Sequence, residues 1–325
     1  MGIKVINIED FGAAADGKTP CTGALIKALD YAKKTEDKIY IVFKKGKYFL
    51  NKPEEYKLTS IGERYLFRCE LADNVHFEGD ETELIIEDSF CGLFQFSYCS
   101  NISISGFKVK HLKAPWAQCE VKEINCAESM FDAELLNDTD ILDDERLMGR
   151  LTLGFLRDRN NPRLMKHNFY DFFGKIKKYE KIANRVYRFT LDDERGLMPD
   201  NLEIGDKVIF NNLPYGGSIL NTFKCESVSV CNCDIFSSSG GVYIGSYTRG
   251  RILINKVNVM FENENQWLTA NADAFHFQHG MHSVEITDCI VEWINDDVIN
   301  LYQVELSVTK VFSENEIEIT NINAN

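Results

Sequence analysis

The sequence predicts an all-β chain wound as a parallel β-helix, with an N-terminal capping helix and a small inserted subdomain. Three observations predict it: a degenerate repeat, a helix-bearing start, and a central stretch where the repeat is lost. The repeat is carried by "NISISGFKV" from Asn101, "SVSVCNCDI" from Ser227, "RILINKVNV" from Arg251 and "SVEITDCIV" from Ser283. Each copy alternates apolar, mostly β-branched residues with polar ones on either side of a two-residue bend, which reads as strand, bend, strand. Val228 and Ile252 are 24 residues apart and Ile252 and Val284 are 32, so the second interval holds one turn plus an eight-residue loop, placed around Glu262 to Ala270. "NVHFEGDETELII" from Asn74 is a looser fifth copy. A β-sandwich would place hairpin turns every ~8–12 residues and has no reason to keep this register. The same alignment puts Phe107, Cys233, Val257 and Cys289 in one inward column. Cys233 and Cys289, two turns apart at roughly 9–10 Å, are then too distant to bridge.

The start "VINIEDFGAAADGKTPCTGALIKALDYAKK" reads as a strand, a Gly- and Asp-bearing turn and an amphipathic helix from about Thr22 to Lys33, followed by the strand "KIYIVFKKGKYFL". An open solenoid end exposes unpaired backbone and needs such a cover. Between Lys110 and Tyr215 the repeat disappears. "NDTDILDDERLMGRL" reads as helical or irregular, whereas "FGKIKKYEKIANRVYRFTLDD" and "LEIGDKVIFNN" read as strands of a small antiparallel unit. The acidic run "DTDILDDE" lacks the Gly-turned spacing of an oxygen-ligand loop, so a solvated acidic face is the expectation. The chain thus divides into cap and first turns (1–110), insertion (111–215), later turns (216–303) and a tail or further turn (304–325).

A net charge of −14 on 325 residues argues against nucleic acid or an anionic membrane surface as partner, because neutralising phosphates takes clustered Lys and Arg. "MGIKVINIEDFG" has no apolar leader core and no run approaches the ~20 apolar residues of a membrane helix. The ten cysteines suit free thiols in a reducing compartment, with secretion as the alternative if a leader has been removed. Oligomeric state is not read from the sequence.

The opening "INIEDFGAAADGKTPCTGALIKALDYA…IYIVFKKGKYFL" resembles that of pectin-lyase-like right-handed β-helix proteins. A more specific likeness lies in "ADAFHFQHGMHSVEITDCIVEWINDDVINLY", Ala272 to Tyr302, which is similar to the glycoside hydrolase family 110 pattern of ADA-x-HF, one further turn, then DDA-x-N. That resemblance implies an exo-acting, inverting α-galactosidase whose insertion is a small β-barrel. The polygalacturonase family 28 is a broader relative, with NTD and GDD matched by Asn271-Ala272-Asp273 and Asn295-Asp296-Asp297. Its later GHG and R-x-K motifs are missing after Asp297, about one turn before the last residue, Asn325. The resemblance therefore leaves open whether further turns complete the cleft.

Asp273 and Asp297 are 24 residues apart, which stacks them on adjacent turns, with Gly241 in that place one turn earlier and Asp296 alongside. Like charges so close raise one another's pKa, and a protonated carboxyl beside an ionised one is what glycoside hydrolysis needs. From the resemblance, Asp296 is the general acid and Asp273 with Asp297 the water-activating pair, spanning the ~6.5–9.5 Å typical of inversion. The plainer alternative is an Asx ladder capping strands. With Phe275/Phe277 and Ile299/Leu301 inward, His276 and Asn300 face outward beside the acids as candidate sugar contacts, joined by Asn271. Trp267, in the long loop, is expected as an aromatic wall, with Tyr302, Tyr243 and Tyr247 as further contacts and Arg249 and Arg251 near the same edge. His279 and His282 lack the further ligand a zinc site wants, so no metal or cofactor is expected. The function expected is hydrolysis of a terminal α-linked galactose-like residue of a carbohydrate. The alternatives are a uronan hydrolase and a non-catalytic glycan-binding or structural β-helix.

Overall fold

The computed structural model describes residues 2–52, 65–144, 153–166, 172–173, 176–191, 202–211, 217–303 and 306–321. Two parallel sheets run the length of a right-handed solenoid. The broad sheet stacks Ile3–Asn7, Lys38–Phe43, Val75–Ile86, Ser100–His111, Glu226–Ile235, Arg249–Val259 and Met281–Thr287 in that order. The narrow sheet stacks Tyr65–Glu70, Gly92–Ser97, Leu220–Phe223, Tyr243–Ser246, Phe275–Gln278 and Ile299–Tyr302. Single bridges joining Ser238, Ala270 and Ile294 mark a third, minimal face.

The register is the one the repeat predicts. Ile102, Val228, Ile252 and Val284 are successive partners, and so are Ser105, Cys231 and Asn255. Alternation then buries one column of side chains after another: Phe107, Cys233 and Val257 are all at most 2% exposed. Cys289 packs at the end of that column, and its sulfur accepts the Val257 N–H.

The corners explain how such short strands turn. Leu71, Tyr98, Lys224, Tyr247 and His279 occupy one column between the narrow and broad sheets, each with a left-handed φ of 52–57°. A second left-handed column, Gly106, Asn232, Lys256 and Asp288, bends the broad strands at the predicted two-residue step. A non-glycine residue there costs about 1 kcal/mol or more. The cost is tolerated because the N–H of each turn residue finds a carbonyl on the next rung, as Tyr247 does with Gln278 at 2.9 Å.

Helix Thr22–Ala32 covers the first rungs with Ala24, Leu25, Ala28 and Leu29, one residue short of the predicted end. The inserted unit is a seven-stranded antiparallel sheet with strands from Ala117–Asn125 to Lys207–Asn211, packed on its own core of Trp116, Phe131, Phe189 and Phe210. Its outer strands, Phe172–Phe173 and Ile176–Ala183, are not paired with each other among the described residues. The acidic run is a bend and a turn as far as Asp144. Asp140 pairs with Lys113 and Asp143 with Lys181 and Tyr187, while residues 145–152 lie outside the described residues. Leu306–Ser313 and Glu316–Asn321 form an antiparallel hairpin instead of adding a parallel rung.

Candidate active site

Each solenoid turn crosses one edge between the broad strand and the following narrow strand. The insertion occupies that edge after Ser100–His111, and the segments 236–242, 260–274 and 292–298 occupy it on later turns. Phe275 pairs with Ile299 and Tyr243 with Phe275, which sets Gly241, Asp273 and Asp297 in one column just before the narrow strands. A Cβ on Gly241 would lie 2.6 Å from Ile244 Cδ1 and 2.8 Å from the Asp273 carbonyl. A side chain in that column is excluded where the rungs approach this closely.

The three predicted carboxylates converge. One oxygen from each of Asp273, Asp296 and Asp297 lies within 4.8 Å of the others, with Asp273 buried and the other two exposed. This is closer than the spacing expected for inversion. Asp273 is held at both oxygens: Oδ1 accepts the Asp297 backbone N–H at 3.1 Å and Oδ2 bonds His276 Nδ1. The Asp297 N–H is shared with Asp296 Oδ1 at 3.1 Å, and Asp297 Oδ2 accepts from Asn300 Nδ2 at 3.1 Å. Although Asp296 is exposed at its surface, loss of water on the side facing the cluster, then the charges of Asp273 and Asp297, push its carboxyl above its ordinary value. His276 and Asn300 are paired across the two rungs and sit beside the acids as predicted.

Other expectations change. Trp267 is 7% exposed and joins the core of the insertion with Trp116, its backbone N–H donating to Gln118 Oε1 at 3.0 Å, so little of its ring faces solvent. Burying a large ring against the insertion outweighs presenting it to solvent. Asn271 is 3% exposed. Its Nδ2 donates to the carbonyls of Pro115 and Ser239 at 2.9 and 3.2 Å, which makes it a bolt between insertion and solenoid. Tyr243 is inward and buried, accepting from Thr222. Phe275 and Phe277 are inward and covered. Ile299 and Leu301 take the same inward positions but stay 48% and 59% exposed, because no rung follows them among the described residues. Tyr302 bonds Gln278 through its hydroxyl and lies edge-on to His276 and His279 at 5.3 and 5.2 Å. Arg251 pairs with Glu285, and the His282 side chain lies outside the described residues.

The residue that sequence reasoning missed is Arg157, on the inserted strand Leu153–Arg157. It is 3% exposed, and its guanidinium donates to Asn295 Oδ1 at 3.1 Å, directly before Asp296. Burial lowers its pKa to about 10. Arg157 Nε, Asn295 Nδ2 and Asn271 Oδ1 are buried without a protein partner. Arg163 clamps the same edge through the carbonyls of Asn263, Glu264 and Gln266 and over the Phe261 ring. The insertion thus reaches along the edge to the acidic rungs.

Residues 5–91 match the profile of the family described as rhamnogalacturonase A/epimerase, pectate lyase-like. The match covers the cap and first turns and ends well before Asp273. No curated protein matches the chain. Among solved structures, a candidate glycosyl hydrolase from Parabacteroides merdae is 12% identical at TM-score 0.41, covering 89% of this chain and 96% of its own. An exopolygalacturonase from Thermotoga maritima is 11% identical at TM-score 0.40, covering 89% of this chain and 55% of its own. A family 28 exopolygalacturonase from Yersinia enterocolitica is 13% identical at TM-score 0.29, covering 93% and 55%. Similarity this low leaves function to the chemistry of the site.

Proposed function

We propose that this protein is a glycoside hydrolase acting on carbohydrate, with Asp296 as general acid and Asp297, beside Asp273, activating the attacking water. The observation that carries the reading is the convergence of three carboxylates in which one is raised and the others are held by N–H donors. Desolvation and two neighbouring charges favour the protonated form of Asp296. Asp296 then delivers its proton to the glycosidic oxygen as the bond to the anomeric carbon breaks. Asp297 takes a proton from the water that adds to that carbon. Because both Asp273 oxygens are already engaged, Asp273 orients and charges the site and does not attack. Asn300 and His276 border the acids and contact hydroxyls. Following the sequence resemblance, the substrate is a terminal α-linked galactose-like residue, released with inversion.

One observation favours a second stereochemical reading. Oxygens within 4.8 Å suit the ~5–5.5 Å spacing of a double displacement better than a gap of ~6.5–9.5 Å. In that reading Asp297 is the nucleophile. Proton NMR of the first-formed anomer separates the two: β-galactose from an α-galactoside means inversion, α-galactose means retention. The hydrolase reading itself is tested by release of galactose from a panel of α-galactosides and of uronic acid from a panel of uronans. Wild type turns over and Asp296→Asn loses at least a hundredfold in kcat. Equal rates for the two proteins, or no turnover on any member of the panel, would overturn it.

A further inference from the structure

A groove of about 460 Å³ lies at the corner where the narrow sheet turns into the broad one, lined by Tyr98, Lys224, Tyr247, Arg249 and His279, with one carboxylate, Glu226, in register with Arg249. It is at the far end of the strand Phe275–Gln278 from Asp273, about 13 Å across for four residues. The left-handed corner column points side chains outward, so rings and cations stack there one rung apart. Tyr98 and Tyr247 are 50% and 44% exposed, and each meets Phe223 edge-on with centroids 5.7 Å apart. The Lys224 ammonium sits over all three rings at 5.3–6.0 Å. Lys224 is held by these rings and Arg249 lies in register with Glu226, so the groove carries two cations against one carboxylate on a chain of net charge −14. From Tyr247 the aromatic contacts continue through His279 and Tyr302 to His276, which bonds Asp273.

We propose that this groove is a distal subsite for an acidic glycan chain whose terminal residue lies at the Asp273–Asp296–Asp297 cluster. The tyrosine faces supply flat amphipathic surfaces for sugar rings. Lys224 and Arg249 supply donors for carboxylate or sulfate groups, Arg with the planar fork that suits them. This rests on the hydrolase reading for its direction, but the groove binds whether or not turnover occurs.

The test measures binding in the Asp296→Asn background by calorimetry, using galacturonate hexamers, galacturonate dimers and neutral galactan hexamers. Acidic hexamers bind at least tenfold tighter than either comparator, and the preference weakens as salt rises. Lys224→Gln, Arg249→Gln and Tyr247→Asn each remove most of that preference. Asn is chosen because it tolerates the left-handed corner. Equal affinity for acidic and neutral hexamers, or corner variants that bind like their parent, would overturn the proposal. If wild type hydrolyses galactosides while the corner variants bind normally, the groove fails alone. If no turnover is found but the corner variants lose binding, the hydrolase reading fails alone.

Discussion

Asp296 ionises late because loss of water on the side facing the cluster and two neighbouring carboxylates oppose a third charge. Activity that needs its proton is therefore lost on the alkaline side, as pH rises through the raised value. Replacing Asp273 by Asn removes one of those charges, so the Asp296 carboxyl should titrate at lower pH, read by carbon NMR of the labelled side chain. The same shift bears on stability. A carboxyl whose pKa is raised on folding holds its proton more tightly in the folded chain, so its contribution is present at acid pH and is lost as pH rises through the folded value. Asp296→Asn, which cannot ionise, should melt above wild type at neutral pH, with the difference closing in acid. An unchanged or lower melting temperature at neutral pH would mean that Asp296 is not under repulsion. These residues were legible because a solenoid converts sequence interval into spatial register: a 24-residue spacing became a stacked pair. What spacing does not encode is which oxygen of Asp273 meets which donor, since that depends on side-chain rotation within one rung.

At the scale of elements, the insertion was visible as a loss of repeat, yet its role at the acidic edge was not. Arg157 and Asn295 are separated by 138 residues, and no local pattern links them. Trp267 misled for a related reason: an aromatic in a long loop reads as solvent-facing until the element that covers it is known. The Asn271 bolt makes a concrete prediction. Asn271→Ala loses bonds to Pro115 and Ser239 and should destabilise by about 1–3 kcal/mol in urea unfolding. Arg157→Gln should lower kcat with little change in KM, because it loosens Asn295 and hence Asp296 without touching substrate. A change confined to KM would place Arg157 in substrate binding instead. Gly241→Ala should also lower kcat, since the added methyl presses on the Asp273 carbonyl and on Ile244.

Across the whole molecule, rungs that touch only their neighbours behave as a one-dimensional array, able to melt from one end a turn at a time. The insertion alters that statistics. It emerges between Ser100–His111 and Leu220–Phe223 yet grips segments 263–266 and Asn295, several rungs onward. Early and late rungs therefore share a boundary they would not otherwise have, and fraying of the last turns must break contacts made near the middle of the chain. Calorimetry should show a single transition in wild type. Arg163→Ala combined with Arg157→Ala should split off a lower-temperature component belonging to the C-terminal rungs. The acids sit on those rungs, so the strut that looks like decoration on the solenoid sets the temperature at which the site dissolves.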